Sequence, residues 1–497
     1  MLLRNSLWNM TGSALPSIAA LVTVPLLIAA LGAEGYGIVT LLASVIGYFG
    51  ILDVNLSAGS IKYLAETHAS GDRKRFAETF WFGVLFYSVL GLLGTSAVLL
   101  FSESLVDYFF APGNVARDNV LLALQISAFG FAVTQIQNYL LVVPQALQHY
   151  NRSAQSEAMF GILFNVVSVG AALAGGGVAG VMAARVLVSL LNGIYLVWLI
   201  RRFDVNLAFC VPSRETRSAL TSFSAYTYLS KLAATFHQHG DKLIIGTLAG
   251  PIALTYYTVP VTLAGRILGL TYRLSSVIYP KASELAASRR IDELRPIYLA
   301  ATRHIAYLNL AALGMIVLAG DEFLRRWVGE SFIPQGYPVL VLITFALLVD
   351  SLTNIPSLVN DALGHPRVTG FFAFARGILG LVVVFIGAKM FGIVGAAAAH
   401  LLTAILLTGL FLTYVHGRTL PISFSESVRR GWGPSFAVGI AIFCCMVALK
   451  WFIPSGLAST LVVVFVAILF LSAAGLAFVV SSQERSAIFK VVQRFQS

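Results

Sequence analysis

Long apolar runs alternate with short polar stretches along most of the chain. Each run extends over roughly 20 residues or more, which is the length an α-helix needs to cross the hydrocarbon core of a bilayer. We predict fourteen such segments, at about 7–31, 36–57, 76–100, 120–143, 154–175, 177–200, 221–246, 255–279, 297–319, 337–359, 368–388, 391–415, 432–453 and 457–481. The pattern therefore predicts an all-α, polytopic membrane protein.

Three cations interrupt the apolar segments 221–246 and 255–279. Lys231 lies in the first segment, and Arg266 and Arg273 lie in the second. The two arginines are seven residues apart, so they share one stripe of a helix, two turns from each other. A charge at the bilayer centre costs between about 2.5 and 17 kcal/mol, so such residues face a bundle interior or a wet cavity. This arrangement predicts a cavity that binds an anion.

Two further arginines, Arg185 and Arg376, also fall near mid-depth of their segments. Asp350 lies at a similar depth and could pair with one of them, whereas Asp53 and Asp241 lie nearer the ends of their segments. Each of these cations could contact substrate or form a structural ion pair. Arginine donates two parallel hydrogen bonds to phosphate, so a phosphate or pyrophosphate head group suits such a cavity.

Several other polar side chains lie within the apolar segments. His237 and Asp241 share a helix face at i, i+4, so they form either a proton-coupling pair or a hydrogen-bonded structural cluster. Asp350 is the other candidate for ion or proton coupling, against the structural pairing named above. The fourth segment carries amides that we predict to join helices by hydrogen bonds, namely Gln125, Gln135, Gln137 and Asn138.

Composition and charge support the membrane assignment. Hydrophobic residues make up 58% of the chain and charged residues 11%, against about 25% charged residues in a soluble protein. The net charge of +11 does not indicate nucleic acid, because the Lys and Arg residues concentrate in short loops beside apolar segments. With a cytoplasmic N-terminus, 21 of the 33 cations lie in inside loops and 5 in outside loops. This bias predicts that both termini are cytoplasmic.

The chain also repeats itself. Residues 146–149 (ALQH) return as 362–365 (ALGH), at an offset of 216. Residues 177–184 return as 392–399 at an offset of 215, and Gly32 to Glu66 is spaced like Gly250 to Glu284, at 218. Each offset joins a helix to the sixth helix after it, which predicts two parallel six-helix lobes. We predict lobes at 1–203 and 221–417, a cytoplasmic linker at 204–220, and helices 13–14 with a tail at 418–497.

The sequence carries none of the common catalytic or nucleotide-binding motifs. It has no GxxxxGK[ST], no GxSxG and no HExxH. The three cysteines, Cys210, Cys444 and Cys445, have no metal-binding spacing. We therefore expect a protein that is not an enzyme, with no catalytic residue, no metal site and no cofactor.

Short motifs along residues 1–420 resemble the polysaccharide transporter (Wzx-type flippase) family of the multidrug/oligosaccharidyl-lipid/polysaccharide (MOP) exporter superfamily. They are 31–37 (LGAEGYG), 51–56 (ILDVNL), 62–66 (KYLAE), 241–246 (DKLIIG), 279–283 (YPKAS), 326–332 (RWVGESF) and 363–366 (LGHP). The resemblance implies two six-helix lobes, alternating access, and a central cavity lined by helices 1, 2, 7 and 8. The family's usual Asp-x-Gly after helix 2 reads Asp53-Val54-Asn55 here. The first helix also lacks the arginines expected of a lipid II flippase.

The resemblance and the buried cations together predict a flippase for undecaprenyl-pyrophosphate-linked oligosaccharide in the bacterial inner membrane. Its cycle would be driven by an ion gradient. Its partners would be the anionic lipid-linked glycan, membrane lipids, and polysaccharide polymerase and chain-length proteins, with no nucleic acid. Two alternatives stay open, a drug or cation antiporter of the same superfamily and a membrane-embedded glycan polymerase.

Overall fold

A computed structural model describes residues 2–110, 113–203, 205, 207–275, 278–452 and 456–480. Within these ranges it leaves out the side chains at 2–13, 223, 225–227, 229, 230, 233, 237, 270, 273, 449–452 and 457–459. The part of the chain so described is helical and contains no β-strand. A lipid environment requires every backbone N–H and C=O to be paired within the segment, and a helix achieves this.

The described residues form seventeen α-helices. They are α1 (Leu2–Tyr48), α2 (Leu56–Ala69), α3 (Arg73–Leu100), α4 (Ser102–Phe109), α5 (Arg117–Leu140), α6 (Val142–Ala146), α7 (Tyr150–Leu173), α8 (Gly177–Ile200), α9 (Arg214–Ser275), α10 (Ile278–Ala287), α11 (Leu294–Trp327), α12 (Ile333–Ser351), α13 (Asn354–Ala362), α14 (Pro366–Arg418), α15 (Phe424–Glu426), α16 (Gly433–Phe452) and α17 (Leu457–Ala474). Short 3₁₀ turns lie at Phe49–Leu52, Ile291–Glu293 and Glu330–Phe332, and π-helical turns at Ser427–Trp432 and Gly475–Val479.

Eleven helices in the described ranges are long and apolar enough to cross a membrane. Three of these eleven are bent where a glycine leaves the helical conformation, at Gly32, Gly250 and Gly392. Counting each bent helix as two segments adds 3 to 11 and gives the fourteen predicted from the sequence. The all-α membrane architecture is thus confirmed, while the count of fourteen spanning segments stays a prediction.

The described chain divides into two compact units, 1–258 and 259–497. Helix α9 contributes residues 214–258 to the first unit and 259–275 to the second. In the first unit, Tyr87 and Tyr139 stack at the centre of a core formed with α2, α3 and α6. In the second unit, Tyr298 and Trp432 belong to a core built from α10, α11, α13 and α14. The lobe boundaries expected from the sequence stay a prediction.

The repeated turn after α6 and α13 has a positive φ and an equivalent hydrogen bond in both copies. Gln148 and Gly364, which are 216 residues apart, have φ of 59° and 92°. The histidine that follows each of them donates its N–H to the carbonyl five residues earlier, at 2.8 Å for His149 and 3.1 Å for His365. This bond closes a Schellman-type helix end, which requires a left-handed residue. The two ALxH motifs are therefore the same turn, and they support the internal repeat found in the sequence.

Because only one copy of this turn has glycine, alanine substitutions should affect the two copies unequally. Gly364→Ala is expected to lower stability by about 1–2 kcal/mol, since a Cβ disfavours the left-handed conformation. Gln148→Ala should change stability little, because that position already carries a Cβ. Apparent melting temperatures of the two variants in detergent would test this. Equal shifts would contradict a shared turn.

Candidate functional site

A cavity of about 380 Å³ lies within the first unit and contains two of the cations predicted to bind substrate. We call it the N-unit cavity. It brings Arg185 of α8 and Lys231 of α9 to one space. Its walls come from α1, the turn at Phe49–Leu52, α5, α7, α8 and α9. The lining residues are Ala43, Ile46, Gly47, Gly50, Ser127, Gly130, Phe131, Thr134, Gln135, Asn138, Phe164, Met182, Arg185, Val186, Ser189, Lys231, Ala234, Thr235, Gln238 and His239.

The guanidinium of Arg185 is held by neutral groups of α7. Its Nε donates to Ser168 Oγ at 3.2 Å, and its Cζ lies 4.8 Å from the centre of the Phe164 ring. Ser168 Oγ donates in turn to the carbonyl of Phe164 at 2.6 Å, so its lone pairs are free to accept from the arginine. Phe164 and Ser168 are one turn apart on the same helix face. Within the described residues, Arg185 makes no ion pair with a carboxylate, and its hydrogen bond to Ser168 uses Nε and not Nη1 or Nη2.

Lys231 has a distant carboxylate partner. Its Nζ lies 3.7 Å from Asp53 Oδ2, which is too long for a hydrogen bond, and its side chain is 39% exposed. Asp53 is buried, and its Oδ1 accepts from the Tyr87 hydroxyl and from the Asn55 N–H, both at 2.9 Å. The carboxylate is therefore fixed by α3 and its own turn. The lysine is attracted to the carboxylate without being immobilised by it.

Two amides of the fourth predicted segment line the N-unit cavity. Gln135 of α5 is 8% exposed, lines the N-unit cavity, and its Nε2 has no hydrogen-bond partner in the described structure. Asn138 lines the same cavity. His239 also lines it, and its Nδ1 is likewise buried without a partner. Gln135 is predicted from the sequence to join helices and not to line a cavity. The signal was present in the unusual density of amides along one apolar segment.

The remaining predicted site residues lie elsewhere. Arg376 and Asp350 of the second unit form a two-bond ion pair, with Nη1 to Oδ1 and Nη2 to Oδ2. This is the structural pairing considered for both from the sequence. Arg266 is exposed in the second unit. Arg273 belongs to α9, but its side chain is not among those that the structure describes.

The predicted coupling residues of α9 are placed only in part. Asp241 is buried, and its Oδ2 accepts from the Tyr257 hydroxyl at 2.9 Å while its Oδ1 accepts from the Lys242 N–H at 2.8 Å. The side chain of His237 is outside the described residues, so a His237–Asp241 contact stays a prediction. No group of three or more His, Cys, Asp or Glu side chains is arranged to hold a metal ion in the described ranges.

Gly47 gives the N-unit cavity its shape by allowing His239 to approach α1. A Cβ at Gly47 would lie 2.4 Å from His239 Cε1, whereas a Cβ at Gly50 would meet nothing within 4 Å. Gly47→Ala should therefore displace the imidazole, with an overpacking cost of about 1–3 kcal/mol. Gly50→Ala, on the same wall, is the matched control. Melting temperature and transport should both fall for Gly47→Ala alone, and equal behaviour of the two variants would contradict this packing.

Comparisons with known proteins agree with this architecture. The family model described as "Polysaccharide biosynthesis protein" matches residues 2–286, more than half of the chain. A Shigella flexneri protein named "Putative O-antigen transporter" is 23% identical over 425 residues, which cover 84% of this chain and 98% of the relative. "Probable flippase AglR" of Haloferax volcanii is 24% identical, covering 78% of this chain and 77% of the relative.

Solved structures show the same fold at low sequence identity. The lipid II flippase MurJ in an inward closed conformation superposes with a TM-score of 0.73 at 12% identity, covering 94% of this chain and 98% of that one. An inward-facing multidrug MATE transporter of the MOP superfamily gives a TM-score of 0.66 at 16% identity, covering 83% and 98%. This chain is thus a multi-pass membrane protein of the polysaccharide biosynthesis protein family, with the fold of the MOP exporter superfamily.

Proposed function

We propose that this chain is a flippase that moves undecaprenyl-pyrophosphate-linked oligosaccharide from the cytoplasmic to the outer face of the bacterial inner membrane. The observation that carries the proposal is the N-unit cavity, whose lining includes Arg185 and Lys231 and has no carboxylate among its described residues. A site with this charge attracts an anionic substrate and repels a cationic one. The names of the relatives, an O-antigen transporter and flippases, support the same substrate class.

The proposed cycle is alternating access driven by an ion gradient, with both termini in the cytoplasm. The chain carries no GxxxxGK[ST] motif for binding nucleotide phosphates. The proposed cycle therefore does not use nucleotide hydrolysis by this chain. Polysaccharide polymerase and chain-length proteins would act on the delivered glycan. The assignment as a transporter and not an enzyme agrees with the names of the relatives.

A drug or cation antiporter is the second candidate, because MATE transporters share the fold. That activity needs an acidic group facing the substrate, and the described lining of the N-unit cavity offers amides and cations instead. The cavity therefore favours the flippase over the antiporter.

The test uses a deletion strain complemented with wild-type protein, with Arg185→Gln/Lys231→Gln, or with Arg117→Gln as control. Arg117 is an exposed arginine paired with Asp107 at 2.8 Å, away from the cavity, and so reports the effect of removing a cation elsewhere. Accessibility of lipid-linked oligosaccharide in spheroplasts reports which membrane face holds it, and a dye-efflux assay runs in parallel. We expect cytoplasmic-face accumulation in the deletion strain and the cavity variant, but not in the control. No cytoplasmic-face accumulation in the deletion strain together with lost dye efflux would favour the antiporter.

A further inference from the structure

The charges around the N-unit cavity leave one positive charge unbalanced. Arg185 and Lys231 each contribute one charge, and Asp53 lies 3.7 Å from Lys231. The contacts of Arg185 with Ser168 and Phe164 are to neutral groups. With His239 uncharged, a ligand with a single negative charge would balance the cavity. A neutral ligand would leave Arg185 without compensation in a region of low dielectric constant.

The other polar groups of the cavity suit hydroxyls. The buried Nε2 of Gln135 has no acceptor in the described structure, so a ligand oxygen that reaches this nitrogen would remove the cost of an unpaired donor. Asn138, Gln238 and Ser189 add groups that both donate and accept. Phe131 contributes an aromatic ring to the same wall. A cavity of about 380 Å³ is within the range that holds small-molecule ligands.

We propose that the N-unit cavity binds a carboxylate-bearing sugar of the transported glycan, of the hexuronic acid class. Arg185 binds the carboxylate through Nη1 and Nη2, and Gln135 donates to an oxygen of the same sugar. Arginine matches a carboxylate because its planar fork gives two parallel hydrogen bonds. This inference rests on the proposed function and names the part of the substrate that this cavity recognises.

The pyrophosphate of the lipid-linked substrate then binds outside this cavity. A pyrophosphate diester carries two negative charges, one more than the cavity balances. It is also joined directly to the lipid, whereas the sugar is the part free to enter a cavity lined by five helices of one unit. Arg266 and Arg273 remain the predicted contacts for the pyrophosphate.

The experiment measures binding to purified protein in lipid nanodiscs. The probes are a soluble disaccharide containing glucuronic acid, its carboxyl-reduced neutral counterpart, and inorganic pyrophosphate. Wild-type protein should bind the acidic disaccharide at least about 10-fold more tightly than the neutral one. Arg185→Gln should remove this preference, Arg185→Lys should retain part of it, and Arg117→Gln should leave it unchanged. Gln135→Leu should weaken binding of both sugars, because both carry hydroxyl groups.

Several results would overturn the proposal. They are equal binding of the two sugars by wild-type protein, binding of neither sugar, a preference that survives Arg185→Gln in folded protein, or displacement of the acidic sugar by equimolar pyrophosphate. Melting temperatures of all variants identify those that fail to fold. If Arg185→Gln fails to fold, the binding preference of Arg185→Lys, which keeps the positive charge, is compared with that of wild-type protein. The spheroplast assay is separate, so a failed binding preference with intact flipping rejects this site alone. An intact preference without flipping rejects the proposed function.

Discussion

Arg376→Ala is expected to destabilise the protein by about 3–5 kcal/mol, because it leaves the Asp350 carboxylate charged and unpaired inside the second unit. The two side chains are 20% and 23% exposed and are joined by two parallel hydrogen bonds. A loss of this size exceeds half the stability of many proteins. We therefore expect little Arg376→Ala protein in the membrane and a sharply lowered melting temperature for what remains. Immunoblotting of membranes and thermal unfolding in detergent would measure both effects.

The matched comparison is the double variant Arg376→Met/Asp350→Leu, which removes both charges together. Replacement of a buried ion pair by apolar residues of similar size is often neutral or stabilising, so the double variant should recover most of the abundance lost by the single one. Removing the exposed Arg117–Asp107 pair in the same way should change little. If Arg376→Ala folds normally and only transport is lost, the pair serves coupling or substrate binding. In that event the structural interpretation fails.

The repeats and the buried charges could be predicted from the sequence because both are local features. The ALxH motifs predict equivalent turns, and Gln148 and Gly364 both have a positive φ although only one is glycine. A second case is Asn55, which occupies the last position of the family's Asp-x-Gly motif. Asn55 has φ of 60° and ψ of 40°. Asparagine adopts this conformation more readily than most residues, so the residue found here in place of glycine fits its left-handed backbone.

The composition of the site could be predicted only in part, because it depends on which helices are neighbours. Position along a segment places Arg185, Lys231 and Arg376 within the predicted membrane segments, but it does not specify which of them share a space. The structure pairs Arg376 with Asp350 and leaves Arg185 with neutral partners. The density of amides in the fourth segment marks it as unusual, but it does not specify that Gln135 is one of those that face a cavity.

Asp53 and Lys231 form one ion pair, yet we expect their removal to have very different consequences. Asp53 is 7% exposed and accepts two hydrogen bonds in addition to its attraction to Lys231. Asp53→Ala removes the acceptor of the buried Tyr87 hydroxyl and of the Asn55 N–H, and hydrogen bonds to a charged group contribute about 1.5–3 kcal/mol each. We expect a loss of about 3 kcal/mol. Asp53→Asn should lose less, because it keeps an acceptor oxygen.

Lys231→Met should lower stability by less than about 1 kcal/mol, since the partly exposed ammonium makes no hydrogen bond to Asp53 and an apolar side chain of similar length can fill its place. It should nevertheless reduce flipping, because one positive charge leaves the N-unit cavity. Melting temperatures therefore rank Lys231→Met closest to wild type, then Asp53→Asn, then Asp53→Ala, while the transport assay places Lys231→Met well below wild type. Equal destabilisation by Lys231→Met and Asp53→Ala would mean that the ion pair itself holds α9 against the turn after α1. The lysine would then be unavailable to a ligand. The expected asymmetry instead assigns Asp53 to the stability of the fold and Lys231 to the charge of the cavity.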